Sequence, residues 1–355
     1  MNVKKFLATL LTVAMLGGVL AGCGGGTTST PAPAPETSAP AETGATETTP
    51  VETVNLNIGY MANYGSMWSL LTARELGYFA EEGIEVTLTQ FDSGPNIIAA
   101  MESGSVNFGY IGDGAHKLCV QGNATIIALS HISNGDAVIG GPNVKTLEDL
   151  KGKTVAYSSG TSSETILTNA LNSVGLTMDD ITAMDMDASA VVTAMLSGGV
   201  DACAIWSPQT LTILDQMEDA TKLADNMTFS DTSISLASWI ALPEYLETNH
   251  DVAVRFVRAL FKAMDYGAQE ENYSQIAQWV ADELALDYDS VYSQRGDAQW
   301  LTGKDVVDGI ADGTVEGYYQ LQQEIMVASG AITAEEQRPV SDYVDMELMT
   351  EAGAY

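Results

Sequence analysis

The strongest constraint on this chain is an alternation of short strand-like runs with helical ones, which requires mostly parallel sheets covered by helices on both faces. Val54 to Tyr60 alternates apolar and polar residues with period two, and Gly65 and Ser66 then introduce the helical pattern of Trp68, Leu71 and Leu76. The unit repeats. Glu85 to Phe91 and Val106 to Ile111 read as strands around a helix at Ile97 to Met101, with Pro95 in its first turn. Further strands are expected at Ala124 to His131, Thr154 to Ser158, Ile181 to Met186 and Ala202 to Trp206. Helices are expected at Leu147, Ser162 to Ser173, Ala188 to Leu196 and Pro208 to Met217.

After Pro243 the pattern turns helical, with long amphipathic stretches at His250 to Gln269, Tyr273 to Leu284 and Val306 to Ser329. Two short apolar runs, Ala137 to Ile139 and Trp239 to Leu242, bracket the middle segment and read as crossover strands. A chain that leaves one α/β lobe near 140 and returns near 240 builds two lobes with a cleft between them, a clamshell hinged at two strands. The expected division is lobe 1 at 54–138 plus 241–355 and lobe 2 at 139–240. A doubly wound enzyme fits the alternation alone equally well.

Charge and ligand chemistry narrow the function. Lys and Arg number 14 against 47 Asp and Glu, a formal net charge of -33, which opposes nonspecific binding to nucleic acid or to an anionic membrane surface. Nucleic acid is not expected as a partner. With 3 Cys and 3 His the chain lacks the soft ligands of a zinc ribbon, and no metal or cofactor is expected.

The amino end reads as an address. Lys4 and Lys5 precede the apolar run Phe6 to Leu16, and small residues follow, the tripartite pattern of a secretory signal over 1–22. Leu20-Ala21-Gly22-Cys23 resembles the lipobox of bacterial lipoproteins, which implies that Cys23 carries lipid. From Cys23 to position 53 Gly, Thr, Ser, Pro, Ala and Glu dominate, so this stretch is expected to be an extended tether. The membrane contact expected is that lipid alone, on the extracytoplasmic face.

Four strand-to-helix junctions carry candidate chemistry. Ser158-Ser159-Gly160-Thr161-Ser162-Ser163-Glu164 brings hydroxyls and N–H groups to a helix start, which suits a sulfonate, carboxylate or nitrate. The same residues also read as a capping box of Thr161 and Glu164, leaving Ser159, Gly160 and Ser162 for a ligand. Gly112-Asp113-Gly114 sits at a strand's carboxyl edge, where Asp113 either caps a helix or accepts from a ligand's amino group. Asn63, Tyr64, Ser66 and Trp68 follow the first strand as a small-ligand lining, although Trp68 suits a core equally. Trp206, before Ser207-Pro208, either walls the cleft or packs.

Catalytic patterns are poor. His116, His131 and His250 have no metal spacing, and no Gly-x-Ser-x-Gly, P-loop or His-Glu-x-x-His occurs. Cys119 and Cys203 fall in separate expected lobes, where a bridge would lock the hinge, so free thiols are expected.

The run Leu76-Gly77-Tyr78-Phe79-Ala80-Glu81-Glu82-Gly83-Ile84-Glu85-Val86 resembles the ABC-transporter solute-binding proteins of the nitrate/taurine/aliphatic-sulfonate group. Gly112-Asp113, Gly160-Thr161-Ser162-Ser163, Ala204-Ile205-Trp206-Ser207-Pro208 and Leu242-Pro243-Glu244-Tyr245 extend the resemblance over nearly the whole body. It implies a type II periplasmic-binding-protein fold and a non-enzymatic protein that passes one small molecule to a membrane permease driven by an ATPase; a single clamshell needs no partner copy, so a monomer is expected. Alkanesulfonate, taurine or nitrate is the implied class, with a thiamine-related pyrimidine as the alternative. Relatives of the fold also resemble pyrimidine synthases and menaquinone-precursor dehydratases. Asp113 and the aromatics favour an organic ligand bearing an amine or ring over bare nitrate.

Overall fold

A computed structural model describes residues 53–355. The expected signal, Cys23 and nearly all of the tether lie outside the described residues. The chain runs β1 (Val54–Met61), α1 (Tyr64–Glu75), α2 (Tyr78–Glu81), β2 (Ile84–Phe91), α3 (Gly94–Glu102), β3 (Phe108–Ile111), α4 (His116–Val120) and β4 (Thr125–Ser133). A second series follows: β5 (Ala137–Gly140), β6 (Thr154–Tyr157), α5 (Ser162–Ser173), β7 (Thr182–Asp185), α6 (Ala188–Leu196), β8 (Ala202–Ile205), α7 (Gln209–Gln216) and β9 (Thr221–Asp225). The remainder is β10 (Leu236–Ala241), α8 (Pro243–Gly267), α9 (Tyr273–Leu284), α10 (Tyr288–Ser293), β11 (Ala298–Trp300), α11 (Gly303–Ala311), α12 (Thr314–Ala328) and α13 (Met346–Ala352).

Two sheets result, a 6-stranded one in the order β11-β4-β10-β3-β1-β2 and a 5-stranded one in the order β7-β6-β8-β5-β9. The βα units pair parallel, β1 with β2 and β3, and β6 with β7 and β8. Each crossing strand enters its new sheet from the opposite direction and pairs antiparallel, β5 with β8 and β9, and β10 with β3 and β4. The chain is in the second sheet by Ala137 and back in the first by Leu236.

Packing follows the pattern of each element. Buried Phe256, Val257, Leu260, Phe261 and Met264 repeat at three- and four-residue spacing on α8, and Phe256 stacks on Phe108 with centroids 4.4 Å apart. One continuous core covers the first sheet, while separate clusters around Val155 and Leu167 and around Val191 and Ile213 cover the two faces of the second. Each sheet is therefore stabilised by its own buried apolar surface.

Two helix boundaries differ from the sequence reading. The helix expected from His250 starts at Pro243, with non-helical backbone at Asn249 dividing it. The helix expected over Val306 to Ser329 breaks in two, because Gly313 at φ 85° takes the left-handed conformation that ends one helix and begins the next. Cys119 and Cys203 are free and buried. No helix among the described residues is long and apolar enough to cross a membrane.

Candidate functional site

The carboxyl ends of the strands of both sheets meet at a crevice enclosing about 690 Å³, open solvent at its mouth included. The first sheet contributes Asn63, Tyr110, Gly112 and Asp113, the second Thr161, Ser162, Trp206 and Ser207, and the crossings Asp136 and Ser235. This is where open α/β sheets bind ligands.

Asp113 sits in a tight turn after β3 with 3% of its surface exposed, and it does not cap a helix. Its Oδ1 accepts from Nε2 of Gln322 on α12. Gln322 therefore presents its carbonyl to His116 Nδ1, 2.9 Å away, which makes Nδ1 the protonated nitrogen. Burial raises Asp113 to about 6, with the charge of Asp136 adding to it and Gln322 and Thr165 partly offsetting it. Burial lowers His116 to about 4, so it is neutral near pH 7.

Asp136, in the first crossing, ties the two crossings together. Its oxygens accept from the Ser162 hydroxyl at 2.5 Å, Asn226 Nδ2 at 2.9 Å and the Ser235 hydroxyl at 3.0 Å. Burial raises its pKa and those three donors oppose the shift.

Asp297, just before β11, is the least satisfied acid. Its Oδ2 is buried without a hydrogen-bond partner, as is the hydroxyl of Ser207, whose side chain lies beside it without closing a bond of good geometry. Burial raises Asp297 to about 6, the charge of Asp136 adds to this, and Ser207 and Lys222 lower it somewhat.

A directed chain of hydrogen bonds reaches the crevice from the core. Trp68 Nε1 donates to Ser130 Oγ at 3.2 Å, and the Ser130 hydroxyl lies 3.1 Å from His131 Nδ1. With that hydroxyl donating, His131 carries its proton on Nε2, faces the Tyr110 oxygen at 3.3 Å, and leaves the Tyr110 proton for the crevice. Burial lowers His131 to about 3. Trp300 completes this wall, tilted against Trp68 and His131 with centroids 4.9 Å from each.

Among the residues singled out from sequence, Asn63, Gly112, Asp113, Thr161, Ser162 and Trp206 line the crevice. Tyr64, Ser66, Trp68, Ser159 and Gly160 do not. Tyr64 and Trp68 are fully buried behind Trp300, because α1 turns its apolar face to the core. The Ser66 hydroxyl accepts from Met61 N, and Asn63 caps α1 by accepting from Ser66 N.

The helix-start turn is largely self-satisfied. Ser159 gives both its N–H and its hydroxyl to Asp185, and Gly160 N–H donates to Glu164 Oε2 at 2.8 Å. Thr161 is the N-cap, accepting from Ser163 N, but Glu164 reaches back to Gly160 and not to Thr161. Asp136, Asp297, Tyr110, His131, Gln294 and Trp300 were not singled out as lining residues. Their signal is three-dimensional, since Gln294, Asp297 and Trp300 lie in a carboxyl-terminal segment that folds back as an edge strand.

The model of a family described as NMT1/THI5 like matches residues 66–272. A binding protein of Brucella abortus (strain 2308) is 30% identical over 281 residues, 79% of this chain and 88% of the relative. A protein described as binding aliphatic sulfonates in Bacillus subtilis (strain 168) is 27% identical over 234 residues, 62% of this chain and 68% of the relative. Among solved structures, the alkanesulfonate-binding protein SsuA from Xanthomonas axonopodis pv. citri bound to MOPS superposes with a TM-score of 0.63 at 22% identity, covering 83% of this chain and 99% of that one. That likeness establishes the periplasmic-binding-protein fold.

Proposed function

The chain belongs to the NMT1/THI5-like family, and from that premise we propose that it is the extracytoplasmic solute-binding protein of an ABC importer. It captures one small organic solute between its two halves and delivers it, chemically unchanged, to a permease energised by an ATPase. The observation that carries this reading is the crevice itself, whose lining comes from both sheets and from both crossings, so that a ligand in it touches everything that lobe closure would bring together. Following the sheet that each crossing strand joins, the lobes are 54–136 plus 236–355 and 137–235, a shift of two to five residues from the expected bounds, hinged near Asp136 and Ser235.

The lining supports binding over catalysis. Cys119 and Cys203 are buried away from the crevice and burial raises both thiols, Cys203 to about 12, which leaves no reactive thiolate among the described residues. The two buried histidines are too weakly basic to abstract protons near pH 7. Sulfonate-binding relatives support a small polar solute of that general size. Anchoring through Cys23 holds the protein, as a monomer, on the outer face of the membrane.

A thermal-shift screen of sulfonates, amines and vitamin precursors tests this function, because a ligand selective for the folded form raises the melting temperature. Small-angle scattering on any hit is expected to give a smaller radius of gyration. A hit with unchanged scattering dimensions contradicts the closure mechanism, and a screen without hits contradicts solute capture.

A further inference from the structure

We propose that the crevice selects an organic amine or amidine, whose N–H donors bond to Asp297 and Asp113 while its carbon frame lies against Trp206, Trp300 and Tyr110. The inference rests on the reading of the crevice as the solute site and adds the class of solute.

Charge comes first. Asp113, Asp136 and Asp297 line the crevice, and no lysine or arginine is among its lining residues. An anion entering would meet carboxylates of like charge in a partly desolvated space, where such repulsion is poorly screened. A cation meets the opposite field, and the formal net charge of -33 steers it inward.

Hydrogen-bond supply points the same way. The turn before α5 spends much of its donor capacity on the protein's own acids: Ser159 on Asp185, Gly160 on Glu164, and the Ser162 hydroxyl on Asp136. What remains for an anion is the N–H groups of Thr161 and Ser162, and Asp136 stands beside them, so an anion held there would lie against a carboxylate. One buried acceptor is left over, beside a hydroxyl that can donate or accept. Asp297 Oδ2 and the Ser207 hydroxyl are buried and unpartnered, and Ser207 keeps only 8% of its surface exposed while lining the crevice. An ionised carboxylate only accepts hydrogen bonds, so the group that satisfies Asp297 is a donor. A buried unpaired polar atom is costly, and such a ligand relieves that cost.

The aromatic walls complete the match. Trp206 and Trp300 line the crevice, and indole rings attract both flat rings and cations. The Tyr110 hydroxyl is left to donate to an uncharged acceptor on the same solute.

Calorimetry at pH 7.5 on the full chain provides the test, with benzylamine and benzamidine against phenylmethanesulfonate and taurine. Benzylamine or benzamidine is expected to bind at least tenfold more tightly than phenylmethanesulfonate, and Asp297→Asn to reduce that preference at least tenfold with an unchanged circular dichroism spectrum. If Asp297→Asn fails to fold, Ser207→Ala serves in its place, with a smaller loss of amine binding expected. Tighter binding of phenylmethanesulfonate or taurine overturns the amine assignment while leaving solute capture intact. Binding of none of the four overturns both.

Discussion

Gly114 lies directly against the backbone of Thr161, so close that a β-carbon added to Gly114 would overlap the Thr161 carbonyl. One residue follows β3 of the first sheet and the other caps α5 of the second. Their contact joins the two halves beside the crevice, which Asp113, Ala115 and Thr161 line, and only glycine permits it. Gly114→Ala is therefore expected to hold the halves apart without unfolding either, since each has its own core. Ligand affinity by calorimetry should fall at least tenfold while the melting temperature without ligand changes by a few degrees at most. Unchanged affinity would remove this contact from the closure mechanism.

The acids of the crevice make stability and binding respond to pH in opposite ways. Asp297 is raised by burial to about 6 from the ordinary 3.8, so its folded form holds a proton that the unfolded chain has already lost between those values. Its contribution to stability is thus present below about pH 4, is lost as pH rises to about 6, and stays lost above. Asp297→Asn should leave stability unchanged near pH 4 and raise it by on the order of 1–3 kcal/mol at pH 7, read from urea unfolding at both values. Affinity for an amine should instead rise in the wild type as pH climbs from 5 to 7, because the carboxylate must ionise to pair with it. Equal stability of variant and wild type at pH 7 contradicts the buried charge.

Asp136 contributes to the hinge in a way that the other acids do not. Asp136→Ala strips an acceptor from Ser162, Asn226 and Ser235 at once and is expected to cost about 2–4 kcal/mol in urea unfolding. Asp136→Asn retains an acceptor oxygen and should cost less. Equal losses would mean that the three donors find other partners.

The amino-terminal reading has its own test. Cys23→Ala is expected to abolish labelling by radioactive palmitate and to move the protein from the membrane fraction to the medium or periplasm. Retention of both label and membrane association contradicts lipidation at Cys23.

Much of the architecture was legible because period and punctuation are local. The limits of α5, α6 and α9 fall where the spacing of apolar residues and, for α5, the Thr161 cap put them. The crossing strands could be found as short apolar runs, but not their antiparallel pairing, which depends on where the chain enters each sheet. The short elements β9, β11, α10 and α13 carry too few residues for a period to emerge. At the site, glycine and proline turns after strands single out Gly112, Asp113, Thr161 and Trp206, and all four line one crevice. Trp68 fits a cleft lining and a core equally well by sequence while Tyr64 reads as lining, and the orientation of α1 puts both in the core. Asp297 and Trp300 carried no local mark, because a long-range edge pairing of β11 with β4 brings them in.

A crystal structure of the chain with the tightest-binding solute tests solute capture most directly. The expected result is a solute between the two sheets, with a donor on Asp297, contacts to Trp206 and Trp300, and Gly114 still against Thr161. A solute on an outer face, or one touching residues of a single sheet, would contradict capture by closure.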